Sequence, residues 1–419
     1  MRKIVFVLLA LLLAAPALSA CGGSGDSGAD ETFKVGAIYP MSGSNAFQGQ
    51  QCMAAVRIAV DFINGKGGVQ GRRLELFEAD APDPNAAATE AGRLIDQKGV
   101  SVIFGSLASG NAIAIAGVCE KSGALLVESG GIADALTDQG FRCVLRILDK
   151  GGLRGAAGVD YLADAVAGRL GKAGDKLRLA IIHEDSSYGE SVAAGARSRA
   201  EELGLPVVYD ASYSTSVRDM SALALGLREA APDALITVNY VDDAVLLFDT
   251  LRQYGAVPKV IMGCGAGTTS PKFAEDIGVD SDGIFCTDMP TNLSLDVFAS
   301  DEGIQATVTA FREAFLDVYP DMAGGSIAAE AAFAGAYTFL DGIAPSAASL
   351  GFEDLREAAL SIKLPLTTLG FGWDIGEDGQ NYAAAANINQ WQGGKVITVH
   401  PSKMKNGEAV NVPLPIADI

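Results

Sequence analysis

From Phe33 onward the chain repeats one unit, a short and nearly continuous apolar run followed by a segment whose apolar residues recur at helical spacing. The runs fall at Lys34 to Tyr39, Arg73 to Ala79, Val100 to Phe104, Ala124 to Glu128 and Arg142 to Ile147. A second series follows at Leu177 to Ile182, Leu205 to Tyr209, Ala234 to Val238 and Lys259 to Met262. Strands apolar on both faces belong in a parallel sheet with helices on each side. The helical segments fit. Gly49 to Asn64 puts Cys52, Val56, Ala59, Val60 and Ile63 on one face and stops at Gly65-Lys66-Gly67-Gly68. Asp83-Pro84 opens another helix with a capping carboxylate and a proline whose missing N–H costs nothing there, and Gly99 closes it. Further helices are expected over Tyr188 to Leu203, Asp219 to Ala230 and Asp242 to Tyr254. Two such series, in a chain too long for one ordinary domain of about 100–200 residues, predict an α/β fold of two doubly wound parallel-sheet lobes.

The first twenty residues are a different kind of segment. Arg2 and Lys3 precede the apolar run Ile4 to Ala15, which has the length of a signal-peptide core and is too short for a membrane span. Behind it, Leu18-Ser19-Ala20-Cys21 resembles the lipobox of bacterial lipoproteins. That resemblance implies cleavage before Cys21 and acylation of its thiol. The polar, glycine-rich stretch Gly22 to Glu31 then reads as a tether, with a reach of about 16 to 19 Å for ten residues.

The formal charge is −20, and −22 once Arg2 and Lys3 leave with the leader. Such a body repels nucleic acid and anionic lipid, so only the lipid on Cys21 would hold it to a membrane. Cysteines 52, 119, 143, 264 and 286 are odd in number, so at least one should be free; Cys264 and Cys286 each end a strand-like run and parallel neighbours could bring them within reach. No metal-ligand spacing occurs, and His183 and His400 lie far apart. Gly263-Cys264-Gly265-Ala266-Gly267 lacks the third glycine of a dinucleotide fingerprint, and no Walker loop, HExxH or GxSxG elbow is present. No cofactor, no metal and no catalytic centre are expected.

In open parallel sheets, ligands bind beyond the carboxyl ends of the strands, where loops lead into helix N-termini with unpaired N–H groups. The loops concerned are Ser42 to Gln48, Ser106 to Asn111, Glu128 to Ile132, His183 to Tyr188, Asn239 to Asp243 and Cys264 to Thr269. Ser109, with the amides of Gly110 and Asn111 opening a helix, offers donors to an anion; Ser109 as a plain helix cap is the competing reading.

Several segments in order resemble the type I periplasmic binding proteins, in particular the leucine/isoleucine/valine-binding branch that feeds ABC importers. They are Phe33 to Met41 with Ser42-Gly43, Asp61 to Asn64 with Gly67 to Gly71, Asp83-Pro84, and Val102 to Ser106. Ala180 to His183, Ser187-Tyr188-Gly189, Met262-Gly263 and Asn389-Gln390-Trp391 continue the likeness to about His400. The resemblance implies three hinge crossings, placed near Ile147 to Gly151, Asp288 to Thr291 and Thr368 to Gly372. The expected organisation is a signal peptide over 1–20, a tether over 21–32, a first lobe from 33–147 and 290–370, and a second lobe from 148–289 and 371–419.

It also implies site residues. Ser109 matches the serine that holds the ligand carboxylate, with Gly130 in the neighbouring loop, and Tyr188 and Tyr240 match tyrosines that close over the ligand. Departures accompany these matches. The acid that receives a ligand ammonium falls on Gly265, a helping threonine falls on Ile132, and the aromatic of the first loop falls on Gln48, with Phe47 beside it. Replacements for the acid are Glu128, Asp185, Asp242 and Asp243; Glu128 is the first choice because it ends a strand at the cleft, its structural alternative being to pair with Arg142 or to cap the turn at Ser129-Gly130-Gly131. The implied function is an extracytoplasmic, lipid-anchored, monomeric binding protein on the periplasmic or outer face of the cell membrane. It would capture a small carboxylate-bearing solute for an ABC permease, with no enzymatic activity. Two other readings stay open: a ligand-sensing module of the same fold, and a secreted hydrolase or dehydrogenase.

Overall fold

The computed structural model describes residues 32–322 and 325–415; the leader, Cys21 and the tether up to residue 31 lie outside them. The first series of runs forms β1 (Phe33–Tyr39), β2 (Leu74–Asp80), β3 (Val102–Gly105), β4 (Leu125–Glu128) and β5 (Val144–Arg146). They make an all-parallel sheet in the order β2-β1-β3-β4-β5. Its helices are α1 (Ala46–Gly65), α2 (Pro84–Arg93), α3 (Ser109–Ser122) and the single turn α4 (Ala135–Asp138). The second series forms β6 (Leu179–Glu184), β7 (Val207–Tyr213), β8 (Ala234–Val238), β9 (Val260–Cys264) and β10 (Phe285–Asp288). These strands are parallel, and β11 (Asn387–Gln392) and β12 (Lys395–His400) extend the sheet antiparallel, in the order β12-β11-β10-β9-β8-β6-β7. This sheet carries α5 (Gly151–Tyr161), α6 (Ser187–Leu203), α7 (Ser221–Ala230), α8 (Val241–Gln253) and α9 (Pro271–Ile277). Between β10 and β11 run α10 (Glu302–Val318), α11 (Ile327–Tyr337) and α12 (Phe352–Ser361).

Side-chain alternation explains why each strand reads as apolar throughout. Val35, Ala37 and Tyr39 of β1, with Val102 and Phe104 of β3, pack toward Met53, Val56, Phe333 and Phe339. The alternate residues Ile38, Ile103 and Leu126 face Ala87, Ala91, Ile115 and Cys119 on the opposite side. The second sheet repeats the arrangement: Leu179, Ile181 and Ile236 face Val159, Ala193 and Ala196, while Ala180, Ile182 and Leu235 face Ala224, Leu227 and Leu247. The antiparallel pair β11 and β12 was not among the expected strands; in β11 the polar residues Asn387, Asn389 and Gln390 mask a pattern that shows only once they are buried.

The chain leaves the first sheet after β5 and enters α5 against the second, and it returns after β10. The third return lies later than expected. Trp373 and Ile375 are still buried with the first-lobe core, and Gln380 bridges to Arg146 at the edge of β5. Asn381 Nδ2 donates to the carbonyls of Ile147 and Gly372 (2.9 and 3.0 Å). The passage to the second sheet therefore falls between Asn381 and Asn387 rather than at Thr368 to Gly372. The hairpin around 373–381 had no apolar run to reveal its attachment.

All five described cysteines are buried and free. The strand register sets Cys264 opposite Thr287 and Gly263 opposite Cys286, so Cys264 and Cys286 project to opposite faces of the sheet. Among the described residues no helix is long and apolar enough to cross a membrane, and no group of His, Cys, Asp or Glu is placed to hold a metal ion.

Candidate functional site

Both sheets reverse strand order, between β1 and β3 and between β6 and β8, which is where loops diverge and leave a crevice. The lobes meet there. The Asp134 N–H donates to Ser191 Oγ at 3.0 Å, and the Gly151 N–H donates to the Ile132 carbonyl at 2.7 Å. Between them lies a cavity of about 50 Å³. One water needs about 10–15 Å³ on this measure, so the cavity holds more than a single water. The first lobe contributes Gln48, Leu107, Ser129 and Gly130, and α11 adds Ile327, Ala328 and Ala331. The hinge and second lobe contribute Leu148, Arg154, Thr269, Asp288 and Met289. A larger open groove of about 420 Å³ runs along Lys363, Gly370, Asp374 and Lys403, but it takes nothing from β6 to β9 or their helices.

The charged floor of the cavity is a buried triad. Arg154, in the first turns of α5, donates from Nε to both Asp149 oxygens (3.1 and 3.2 Å) and from Nη2 to Asp149 Oδ1 (3.0 Å). Its Nη1 donates to Asp288 Oδ1 at 2.5 Å, and Thr269 Oγ1 donates to Asp288 Oδ2 at 3.0 Å. All three charged side chains are almost fully enclosed. Burial alone would lower the Arg154 pKa, but Asp149 and Asp288 outweigh it and hold the guanidinium charged. Asp149 follows β5 and Asp288 ends β10, so the triad also ties these two segments together.

The expected clamp loops are spent otherwise. Ser109 is buried at the start of α3, and its Oγ accepts from the Ala133 N–H at 3.1 Å; it is not on the cavity wall. Asn111 turns back into its own lobe, donating from Nδ2 to the Ala81 carbonyl at 2.8 Å. Gly110 faces Pro84, 3.2 Å from where a Cβ would stand. Glu128 Oε1 accepts three backbone N–H groups, from Ser106 (2.7 Å), Gly130 (2.7 Å) and Gly131 (2.6 Å). The Gly130 residue thus lines the cavity while its amide serves Glu128. Burial pushes the Glu128 pKa up, and the three amide bonds only partly offset it. Of the two structural alternatives for Glu128, the cap of the turn at Ser129-Gly130-Gly131 is the one present, whereas Arg142 pairs with Glu353, and Glu128 is not on the cavity wall.

On the second lobe, Tyr188 and Tyr240 do come together, with ring centroids 5.5 Å apart. Tyr188 is buried and its hydroxyl donates to the Cys264 carbonyl at 2.5 Å. Gly265 has a left-handed φ of +54°, and a Cβ there would stand 2.8 Å from the Tyr188 hydroxyl and 3.5 Å from Arg154 Nη1. That explains the missing acid: the space is already filled. Asp243 accepts from the Tyr240 N–H (3.3 Å) and Asp242 is exposed in the first turn of α8, so both serve the helix start. Phe47 is 40% exposed at the start of α1 and does not reach the wall, whereas Gln48 beside it does. His183 is a structural hydrogen-bonder, between the Glu184 carbonyl (2.9 Å) and Arg197 (2.8 Å). Arg154 and Thr269 were not foreseen. The signal available was Leu148-Asp149-Lys150-Gly151-Gly152-Leu153-Arg154, an acid and an arginine either side of a helix start at a crossing.

Residues 32–395 match the family model described as periplasmic binding protein. The chain belongs to the periplasmic binding protein family. Among relatives, Leu/Ile/Val-binding protein homolog 7 of Brucella abortus is 33% identical over 401 residues, covering 94% of this chain and 96% of the relative. Homolog 8 of the same organism is 34% identical over 375 residues, or 88% and 90%. This places the chain in the branch named for branched-chain amino acids, a family of binding proteins rather than enzymes. Among solved structures, a leucine-binding protein LivK from Thermotoga maritima matches with a TM-score of 0.74 at 22% identity, covering 88% of this chain and 97% of that one. A solute-binding protein from R. palustris in complex with benzoate matches with a TM-score of 0.72 at 17% identity, covering 91% and 99%. At such identities these structures speak to the fold, which is the two-lobed α/β fold of the type I periplasmic binding proteins.

Proposed function

We propose that this periplasmic binding protein captures a small carboxylate-bearing solute, an amino acid or related organic acid, between its lobes and delivers it to an ABC-type importer. The observation that carries this reading is the cavity between the lobes, walled by both and floored by buried charge. Apolar residues Leu107, Leu148, Met289 and Ile327 suit an apolar body, and Gln48 and Ser129 are polar residues of the first-lobe wall. A solute touching both walls stabilises the closed form by differential binding, which is what hinge closure requires. Family membership supports an extracytoplasmic location, and we assign the anchor to Cys21. Titration calorimetry of the mature protein against amino acids and small carboxylates tests the capture; binding of at least one is expected, and binding of none overturns it. Cys21→Ser should move the protein from the detergent phase to the soluble fraction, and its retention would refute the anchor.

A further inference from the structure

The five described cysteines divide unequally over the core. Cys52 lies on the α1 and α11 side of the first sheet, with its Sγ donating to the Ala328 carbonyl at 3.4 Å. Cys264 and Cys286 sit on opposite faces of the second sheet, and Cys286 Sγ donates to the Thr268 carbonyl at 3.4 Å. Among the described cysteines, only Cys119 and Cys143 pack in one apolar cluster on the same face of the same sheet, and neither has any exposed surface.

These two are 24 positions apart in sequence, and the fold brings them together. Cys119 is in the last turn of α3, and Cys143 immediately precedes β5. Two hydrogen bonds hold Cys143 against that turn. Its Sγ donates at 3.3 Å to the carbonyl of Ala116, one turn before Cys119 on the same side of the helix. Its N–H donates at 3.0 Å to Glu120 Oε2, beside Cys119, and the same oxygen takes the Arg142 N–H at 2.8 Å. The contacts of Cys143 therefore straddle Cys119. A disulfide needs two side chains that face each other across a short gap, and residues packed in one layer and pinned at neighbouring backbone sites provide it.

We propose that Cys119 and Cys143 form a disulfide when the chain folds in the presence of a disulfide oxidant, while Cys52, Cys264 and Cys286 stay as thiols. One thiolate attacks a sulfur of the oxidant, giving a mixed disulfide and releasing one oxidant thiol. The second attacks the protein sulfur of that bond, forming the Cys119–Cys143 link and releasing the other oxidant thiol. The pair gives up two protons and two electrons, and the oxidant takes them. Burial pushes the Cys119 thiol up to about 12 and the Cys143 thiol further, with Cys119 and Glu120 adding to the effect there. Folded, the pair carries little thiolate, so exchange belongs to the stage of folding at which both sulfurs are still open to solvent. The oxidant is available in the extracytoplasmic location that family membership supports, and the pairing is independent of the solute site. The bridge would fasten the end of α3 to β5, the strand that leads into the first crossing.

The test unfolds the reduced full chain, refolds it in a glutathione redox buffer, alkylates it under denaturing conditions and maps it by mass spectrometry without reductant. A linked Cys119–Cys143 peptide is expected, with Cys52, Cys264 and Cys286 alkylated. Alkylation of both Cys119 and Cys143, or linkage of either to another cysteine, would overturn the pair. The same mapping on chain exported by a bacterium tests the compartment: a bridge in glutathione with free thiols after export would keep the pair and remove the location. Closing the loop 119–143 restricts the unfolded chain, so reductant should lower the thermal midpoint of the oxidised protein by about 4–8 °C. It should leave a Cys119→Ala, Cys143→Ala double variant unmoved, and an equal shift in both proteins would place the redox-sensitive bond elsewhere. Peptide mapping of the wild type decides the matter should the double variant not fold.

Discussion

The two walls of the cleft are built alike, from loops leaving the carboxyl ends of parallel strands, yet they dispose of their polar groups in opposite ways. On the first wall the groups are consumed internally: Ser109 by Ala133, Asn111 by Ala81, and the amides of Ser106, Gly130 and Gly131 by Glu128. On the hinge and second wall, Arg154, Asp288 and Thr269 bond to one another and still face the cavity. The first wall is thus mainly scaffold, and the hinge and second wall carry the charge. A polar loop at a strand end says where a ligand can sit, and only the hydrogen-bond accounting says which side offers it anything.

Removing the cation from the charged wall should have the largest effect. Arg154→Met strands two buried carboxylates, and breaking a buried pair costs about 3–5 kcal/mol. Urea denaturation should show a loss of that size; a loss below about 1 kcal/mol would mean that the triad contributes little to holding the hinge segments.

On the scaffold wall, Asn111→Ala leaves the Ala81 carbonyl without its donor and should cost about 1–3 kcal/mol. Affinity for any solute that the wild type binds should not change. A variant of normal stability and weakened affinity would return Asn111 to the binding face and erase the contrast between the walls.

That contrast marks the limit of what the sequence discloses. The parallel strands were legible because each is apolar on both faces, and the start of α2 because Asp83-Pro84 has cap chemistry. The loops bounding the cavity followed from topology. Gln48 and Gly130 of the expected residues do line it. What was not legible was direction. Ser129-Gly130-Gly131 marks a turn that Glu128 could cap, but whether its carboxyl points at a ligand or at the amides two and three residues on is decided by a backbone curl and not by residue type. Arg154 became visible as a cavity group only when the hinge brought Asp149 and Asp288, 139 positions apart in sequence, onto one guanidinium. The polar strand β11 and the hairpin before it were hidden for a related reason: their burial is set by neighbours distant in the chain.

Glu128 sharpens the comparison through pH. Burial raises its folded-state pKa, so the folded carboxyl keeps its proton to higher pH than the unfolded chain, whose value is about 4.3. Its contribution to stability is therefore complete below that value and is lost as pH rises through the folded value. Glu128→Gln keeps an acceptor for the three amides and abolishes the titration. Between pH 4 and pH 8 the wild type should lose denaturation midpoint relative to the variant, and parallel profiles would contradict the buried, scaffold role. The smallest effect is expected at Asp242, exposed on α8: Asp242→Asn should change stability by no more than about 0.5 kcal/mol and leave affinity alone.

The central claim is that solute is held in the cavity between the lobes, and filling that cavity tests it most directly. Ala328 of α11 is on its wall, so Ala328→Phe places a ring where the solute would be. Titration calorimetry with an amino acid that the wild type binds should show affinity lowered at least a hundredfold, with the cooperative thermal unfolding of the variant intact. Wild-type affinity in a folded Ala328→Phe protein would contradict the account and move the binding site elsewhere.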